Sequence, residues 1–583
     1  MAASTICAPD HAARLAALRA ELAARGLDGA ILTTADAYQN EDPPDHDRGI
    51  LWLTGFTGSL AHALVLPDQA LFLVDGRYTI QAAQEVNGRL WAFAHFHDQP
   101  LAMQLRDHAA GRRVGFDPMQ WSVAQIEAIR AAAPQVELVA TDDLFAPVWA
   151  DRPAPPVAPV TVMPDAMAGR SSRDKRDWLA AELRLAGTDL WVETRPDNIA
   201  WMLNLRGGDV AMNPLVLSFA VFSADQAHWF VDPRKLSAVP EGVQTHAPDD
   251  FLPWLAGQGR RAGFDPAFTP QAVADALRQA GAVACPRPGP ITLEKACKTD
   301  AELAGFAQAH LDDAVAMARF CHWLSGELPA RQPDEWDVAE ALARFRAASP
   351  RYLEPSFATI AATGPNAALC HYHATRDRAA RLSADQIFLC DSGGQYLGGT
   401  TDVTRTMAFG PVPDTIRRIA TAVLRGFIAL SSARFPVGTF PHQLDALARA
   451  PLWQMGLEYD HGTGHGVGHR LLVHEHPHRL GKAANPFPLR AGNVLTIEPG
   501  YYAEDAWGIR IENQVQVVAR GAGFLGFEPM TLVPIQLSLF DLDALLPGER
   551  DWLNAYHQRV RDQVLPHLEG PVADWLIAAT APV

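Results

Sequence analysis

Cysteine is scarce in this chain: six in 583 residues, at 7, 285, 297, 321, 370 and 390, without CxxC spacing. So few and so scattered, they exclude a disulfide scaffold and fit a reducing compartment. Long apolar runs are missing too. Nowhere do about 18 apolar residues follow one another, and the N-terminus MAASTICAPDHAARLAALRAELAARG has no basic region followed by an apolar core. Neither a membrane span nor a secretory leader is expected, and the expected location is the cytoplasm. Positive charge is also in deficit, since 49 Lys and Arg against 66 Asp and Glu leave a net charge of -17. Such a surface attracts neither nucleic acid nor an anionic membrane, which excludes both as main partners.

What is present begins with length and a repeat. A chain of 583 residues with 48% hydrophobic content can build several cores. LRAELAARGLDGAILTTAD at 18–36 returns as LAAELRLAGTDLWVETRPD at 179–197, with eight of nineteen positions identical, including Glu21/Glu182, Gly26/Gly187, Asp28/Asp189 and Asp36/Asp197. A second echo, FLVDGRY around Asp75 and Arg77, is answered by WFVDPRK around Asp232 and Arg234. Each copy reads as an amphipathic helix stopped by glycine and followed by an apolar strand. The Pro-rich stretch RPAPPVAPVTVMP parts the two copies, and CPRPGP at 285–290 parts the second copy from the C-terminal half of the chain. The expected organisation is two related α/β domains, 1–152 and 160–288, before a third unit, 291–583. A helical stretch containing AELAGFAQAHLDDAVAMARFCHWL is expected from about 291, with further helices near 334–348, 412–432 and 551–566.

The third unit concentrates metal-binding residue types. QIFLC reads as a buried strand ending at Asp391, SGGQYLGGT as a turn, and DVTRTMAF as a returning strand. A turn centred between Tyr396 and Leu397 sets Asp391 directly opposite Asp402, with Cβ atoms ~5 Å apart. Carboxylates that close either share a proton or hold divalent cations between them. VLTI then leads to Glu498, where Pro499 and Gly500 are expected to turn the chain into GIRIENQVQVV. In that strand Ile509, Ile511, Val515 and Val517 share one face, and Arg510, Glu512, Gln514 and Gln516 the other. HGTGHGVGH supplies His461, His465 and His469 at a helix-like spacing, but its four glycines disfavour a helix by about 1 kcal/mol each relative to alanine. An extended segment is expected instead. A phosphate loop is a poor reading of the same glycines, because no Lys-Ser/Thr ending comes after them. Four carboxylates with one imidazole match the charge of two divalent ions and favour Mn, Co or Zn.

ATGPNAALCHYH, DSGGQYLGGTTDVTRTMAFG, HGTGHGVGHRLLVHEHP, EPGYY and GIRIENQVQVV resemble, in order and spacing, the motifs of the pita-bread metallopeptidases. GFTGSLAHALV, DGRY, NLRGGDV and FEPMTLVPIQ extend the likeness to the three-domain, cytosolic Xaa-Pro aminopeptidase (aminopeptidase P) branch. The resemblance implies an α/β (α+β) chain: two creatinase-like α/β domains, then a pita-bread catalytic domain. It implies Asp391, Asp402, His465, Glu498 and Glu512 as ligands of two divalent ions, Mn2+ first, with Co2+ or Zn2+ as alternatives. Glu498 becomes the proton shuttle for attack by a metal-bridging hydroxide. His371, His461 and His474 become substrate-binding and carbonyl-stabilising groups, with Arg510 beside the bridging Glu512. The implied substrates are peptides with proline second, and the implied assembly is a homodimer.

In that assembly Arg77 reaches a neighbouring subunit's site or forms a salt bridge within its own unit. His373 departs from the family pattern, and His476 and His478 read as surface histidines. The rival readings are an Xaa-Pro dipeptidase, a ligand-free peptide-binding scaffold, and metal-free creatinase-type chemistry. The duplicated N-terminal half weighs against the first and the filled ligand positions against the other two.

Overall fold

Local chemistry sets where the elements begin. The Thr299 hydroxyl accepts from the Glu302 amide while the Glu302 carboxylate accepts from the Thr299 amide, and this reciprocal cap opens the 32-residue helix Asp300–Arg331. Asp334 likewise accepts from the Asp337 amide at the start of Glu335–Ala347. The other two expected helices are Asp414–Ser431 and Pro547–Val564. A computed structural model of the chain describes residues 10–583; Cys7 and the start of the N-terminal segment fall outside them. The five described cysteines are all free. No helix among the described residues is long and apolar enough to cross a membrane.

The described chain forms two compact units. One comprises residues up to 162 together with 172–211 and 215–290, and it holds two six-stranded sheets of identical strand order. The first runs Ala92–His95, Ala70–Val74, Ala61–Val65, Gly29–Thr33, Arg113–Phe116, Glu137–Ala140. The second runs Val243–His246, Ala227–Phe230, Phe219–Ser223, Leu190–Glu193, Arg261–Phe264, Val283–Pro286. The repeat in the sequence is thus a repeat in space, and its identical residues do identical work. Gly26 and Gly187 both stop a helix at positive φ, +67° and +60°. Asp28 accepts from the Arg113 amide at 2.8 Å, and Asp189 from the Arg261 amide at 2.9 Å. Arg77 pairs with Asp75 at 2.9 Å and Glu41 at 3.0 Å, which is the salt bridge within its own unit.

The second unit, residues 163–171, 212–214 and 291–583, carries a six-stranded sheet. Its order is Arg434–Pro436, Phe524–Pro529, Asn513–Ala519, Val494–Ile497, Gly464–Gly466, Glu475–Leu480. A three-stranded sheet, Ile360–Thr363, Ile387–Ser392, Val403–Ala408, belongs to the same unit. As the alternation requires, Ile509, Ile511, Val515 and Val517 enter one apolar core with Val423, Leu424 and Phe427 of the helix Asp414–Ser431. Arg510, Glu512 and Gln514 on the opposite face are buried as well. Three buried polar side chains in a row on one strand face need strong partners.

Candidate metal centre

The first acidic pair forms with a register that differs from the expected one. Ile387–Ser392 pairs antiparallel with Val403–Ala408 so that Asp391 faces Thr404, not Asp402. The turn is centred one residue later, at Leu397 and Gly398, between the paired Tyr396 and Gly399. The cause lies elsewhere in the chain. A Cβ on Gly305 would lie 2.3 Å from the Gly398 carbonyl oxygen, so the tip of the hairpin seats backbone-to-backbone on the helix Asp300–Arg331. Asp402 follows the face of Thr404 two residues away and is diagonal to Asp391.

The second pair forms directly, though without the expected turn. Ile497 faces Asn513 and Gly500 faces Arg510, and this shared register sets Glu498 across from Glu512. Pro499 lacks an N–H and interrupts the ladder, but Gly500–Ala503 continues as a strand and reverses at 504–506, with Asp505 at φ +55°.

His465 arrives on the short strand Gly464–Gly466, extended as expected. A Cβ on Gly464 would lie 2.0 Å from the Thr496 carbonyl oxygen, which is why glycine flanks this histidine. Its Nδ1–H donates to the Gly466 carbonyl at 2.9 Å. Nε2 then carries the bare lone pair of a neutral ring, 3.5 Å from Asp402 Oδ2 and 3.6 Å from Glu498 Oε1. Burial holds this imidazole down to about 4, with His474 adding to the effect. A lone pair facing two carboxylate oxygens is repulsive unless a cation lies between them. Ligand atoms of Asp402, His465 and Glu512 fall within 4.8 Å of one another.

The carboxyls respond to the same crowding. Burial raises Asp402 to about 6 and lifts Asp391, Glu498 and Glu512 above their ordinary values, Glu512 furthest. Arg510 counters this at Asp391, donating to Oδ2 at 2.6 Å, while the buried Oδ1 has no hydrogen-bond partner among the described residues. An orphaned carboxylate oxygen, a bare imidazole nitrogen and four crowded acids fit oxygen-rich ligation of divalent cations.

The histidines differ in how close they come. His474 packs edge-on against His465, ring centroids 4.3 Å apart. His461 joins through Tyr502, whose hydroxyl lies 2.9 Å from His461 Nε2 and 2.6 Å from Arg510 Nη1. His371 follows Cys370, whose carbonyl accepts from Arg510 Nη2 at 3.4 Å. His373 is exposed and His476 half-buried. His478 is buried, 3% exposed, with Nε2 3.4 Å from the Pro488 carbonyl, so the surface reading of it is wrong. Its strand, Glu475–Leu480, turns that side chain inward.

Supporting residues escaped the sequence reading. The Thr404 hydroxyl donates to Glu512 Oε2 at 2.8 Å and accepts from Arg510 Nε at 3.2 Å. Its place two residues beyond Asp402, on the same face, was the available signal. Arg405 turns the other way and is buried without an acidic partner among the described residues. It donates to the carbonyls of Thr404, Glu512, Val533 and Pro534, to Asn513 Oδ1 and to Tyr556.

Comparison with known proteins places these features in a family. Residues 304–519 match Metallopeptidase family M24 and 523–583 the C-terminal region of peptidase M24. Residues 14–148 and 151–302 each match a Creatinase/Prolidase N-terminal domain. The fold and the family are those of a metal-dependent hydrolase with two divalent metal ions. Aminopeptidase P1 of Arabidopsis thaliana is 34% identical across 98% of this chain and 99% of its own length. Aminopeptidase P2 of the same plant is 36% identical across 96% of this chain and 86% of its own. The crystal structure of X-prolyl aminopeptidase from Caenorhabditis elegans, a cytosolic enzyme with a di-nuclear active site, superposes with a TM-score of 0.94 at 32% identity, covering 98% of this chain and 100% of that one. The chain belongs to the Xaa-Pro aminopeptidase (aminopeptidase P) family.

Proposed function

We propose that this chain hydrolyses the bond between an N-terminal residue and a following proline. Asp391, Asp402, His465, Glu498 and Glu512 hold its two divalent cations, with Mn2+ the expected metal and Co2+ or Zn2+ the alternatives. The observation that carries the reading is the neutral His465 Nε2 facing Asp402 and Glu498 at 3.5 and 3.6 Å. When bound, the cations acidify water and polarise the scissile carbonyl.

The remaining chemistry belongs to the side chains. Glu498 is the most solvent-reachable of the four carboxylates, with 18% of its side chain exposed, and burial lifts its affinity for a proton. It takes a proton from the attacking water and delivers it to the leaving prolyl nitrogen. His371 and His474 donate hydrogen bonds to the developing oxyanion or the prolyl carbonyl, and His461 binds substrate beside them. Arg510 holds Asp391 and, through Tyr502, orients His461. Proline suits such a site because its imide has no N–H that would need an acceptor in the pocket.

The proposed domain limits are 1–152, 160–288 and 291–583, the proposed assembly is a homodimer, and the proposed location is the cytoplasm. The test is incubation of the Mn2+-loaded protein with Arg-Pro-Pro and with Arg-Pro. Release of arginine from the tripeptide supports the reading. Cleavage of Arg-Pro alone makes the protein a dipeptidase, and cleavage of neither refutes both.

A further inference from the structure

Glu335 opens the helix Glu335–Ala347 and is fully buried, yet no lysine, arginine or histidine pairs with it among the described residues. All its hydrogen bonds come from neutral donors. The amides of Thr363 and Ala380 donate at 2.8 Å each, Asn366 Nδ2 at 3.1 and 3.0 Å to the two oxygens, and the Tyr372 hydroxyl at 2.7 Å. The Glu335 amide returns a bond to the Ala380 carbonyl at 2.9 Å. A buried carboxylate balanced only by dipoles is a costly way to fill a core position. An apolar residue would fill it without that cost.

The donors share a location. Thr363 precedes the segment 364–380, Asn366 and Tyr372 lie within it, and Ala380 ends it. Apart from the short turn Gly364–Ala368, the segment is irregular and exposed from 375 to 378. Its other anchor is at the acidic centre. A Cβ on Gly508 would lie 1.8 Å from the Ala367 carbonyl oxygen, so the segment rests backbone-to-backbone on the strand Trp507–Arg510. The Cys370 carbonyl takes a bond from the same Arg510 Nη2 that holds Asp391. His371 is the residue between these two anchors, flanked by Cys370 and Tyr372.

We propose that Glu335 is a positioning residue for the reaction: through Tyr372 and the two ends of the segment 364–380 it holds His371 at the height the substrate requires. The inference rests on the reading of His371 as a substrate-facing group. Its physical basis is preorganisation, since a misplacement of about 1 Å at such a group costs on the order of a hundredfold in rate.

The experiment measures kcat/KM on Arg-Pro-Pro, bound metal and the unfolding midpoint for Tyr372→Phe, Glu335→Gln, His371→Ala and the double variant Tyr372→Phe/His371→Ala. Tyr372→Phe is expected to lower kcat/KM roughly tenfold, the loss of the bond to the Glu335 carboxylate and of the one accepted from Asn366 Nδ2, with metal content unchanged. Glu335→Gln lowers it further. In the His371→Ala background Tyr372→Phe has no additional effect, because the group it positions is gone. Tyr372→Phe with wild-type kcat/KM, or fold-losses that simply multiply in the double variant, overturn the proposal. A fully active His371→Ala refutes the assignment of His371 and the positioning role with it.

Discussion

Replacing Thr404 with valine removes one hydroxyl and its two hydrogen bonds beneath the acidic centre. Valine keeps the branched shape in a position that is 0% exposed, so the change falls on the lost hydroxyl and the buried groups it pairs. The variant loses the 2.8 Å donor to Glu512 Oε2 and the acceptor for Arg510 Nε, whose other nitrogens remain held by Asp391 and Tyr502. A hydrogen bond to an ionised carboxylate contributes about 1.5–3 kcal/mol. At 1.36 kcal/mol per decade that is roughly a ten- to hundredfold loss. Outer groups that orient metal ligands are expected to cost the same range when removed, about 10–100-fold in affinity or activity. Thr404→Val is therefore expected to weaken cation binding by that factor, read by calorimetric titration, and to lower kcat/KM alongside it. Thr404→Ser restores the hydroxyl and most of both. A Thr404→Val protein that binds cations as tightly as wild type and turns over at the same rate refutes the reasoning, since Glu512 would then need no donor.

Asp402→Ala is expected to abolish turnover and bound metal while leaving the circular dichroism spectrum intact; metal analysis after desalting checks it. Cation affinity is expected to fall as pH drops toward and below about 6, because burial lifts Glu512 furthest and raises Asp402 to about 6, and protons there compete with the ions. His465, held down to about 4, stays neutral through most of that window. Titrations in two buffers of different ionisation enthalpy should register proton release on binding, and a pH-independent affinity from 5 to 7 contradicts the assignment. His310, 2% exposed, is pushed down to about 4 by burial. Its neutral form adds stability that is complete above about 6.5 and is lost as pH falls toward 4, about 3 kcal/mol over the window. Relative to wild type, His310→Leu should gain that much in urea melts between pH 7 and pH 4.

The two halves of the chain were legible to different depths. Periodicity fixed the strand faces around Ile509 to Val517, and the offset between copies anticipated two related α/β domains, which prove to hold sheets of the same strand order, because both signals are local or self-referential. The choice of acidic residues was legible for the same reason: alternation tells which side chains share a face. Register was not. The hairpin carrying Asp391 is displaced by a contact between Gly398 and Gly305, far apart in sequence, and no turn preference reports such a contact. Pro499 and Gly500 looked like a turn, but the strand Trp507–Arg510 offered Gly500–Ala503 hydrogen-bond partners that outweighed it. Glu335, Thr404 and Tyr502 read as ordinary polar residues. Their meaning lies in partners brought near by folding, such as Tyr372, Glu512 and His461.

Arg405 has a consequence for how the protein is made. Half of its six hydrogen-bond acceptors, the Val533 and Pro534 carbonyls and the Tyr556 hydroxyl, come well after every acidic residue of the centre in the chain. A ribosome that has already delivered Asp391 through Glu512 has not yet delivered these three acceptors of the buried cation. The strand Val403–Ala408 therefore gains its full set of bonds only after residues 533–556 have been made, and a cut before the helix Pro547–Val564 would cost Arg405 its bond to Tyr556.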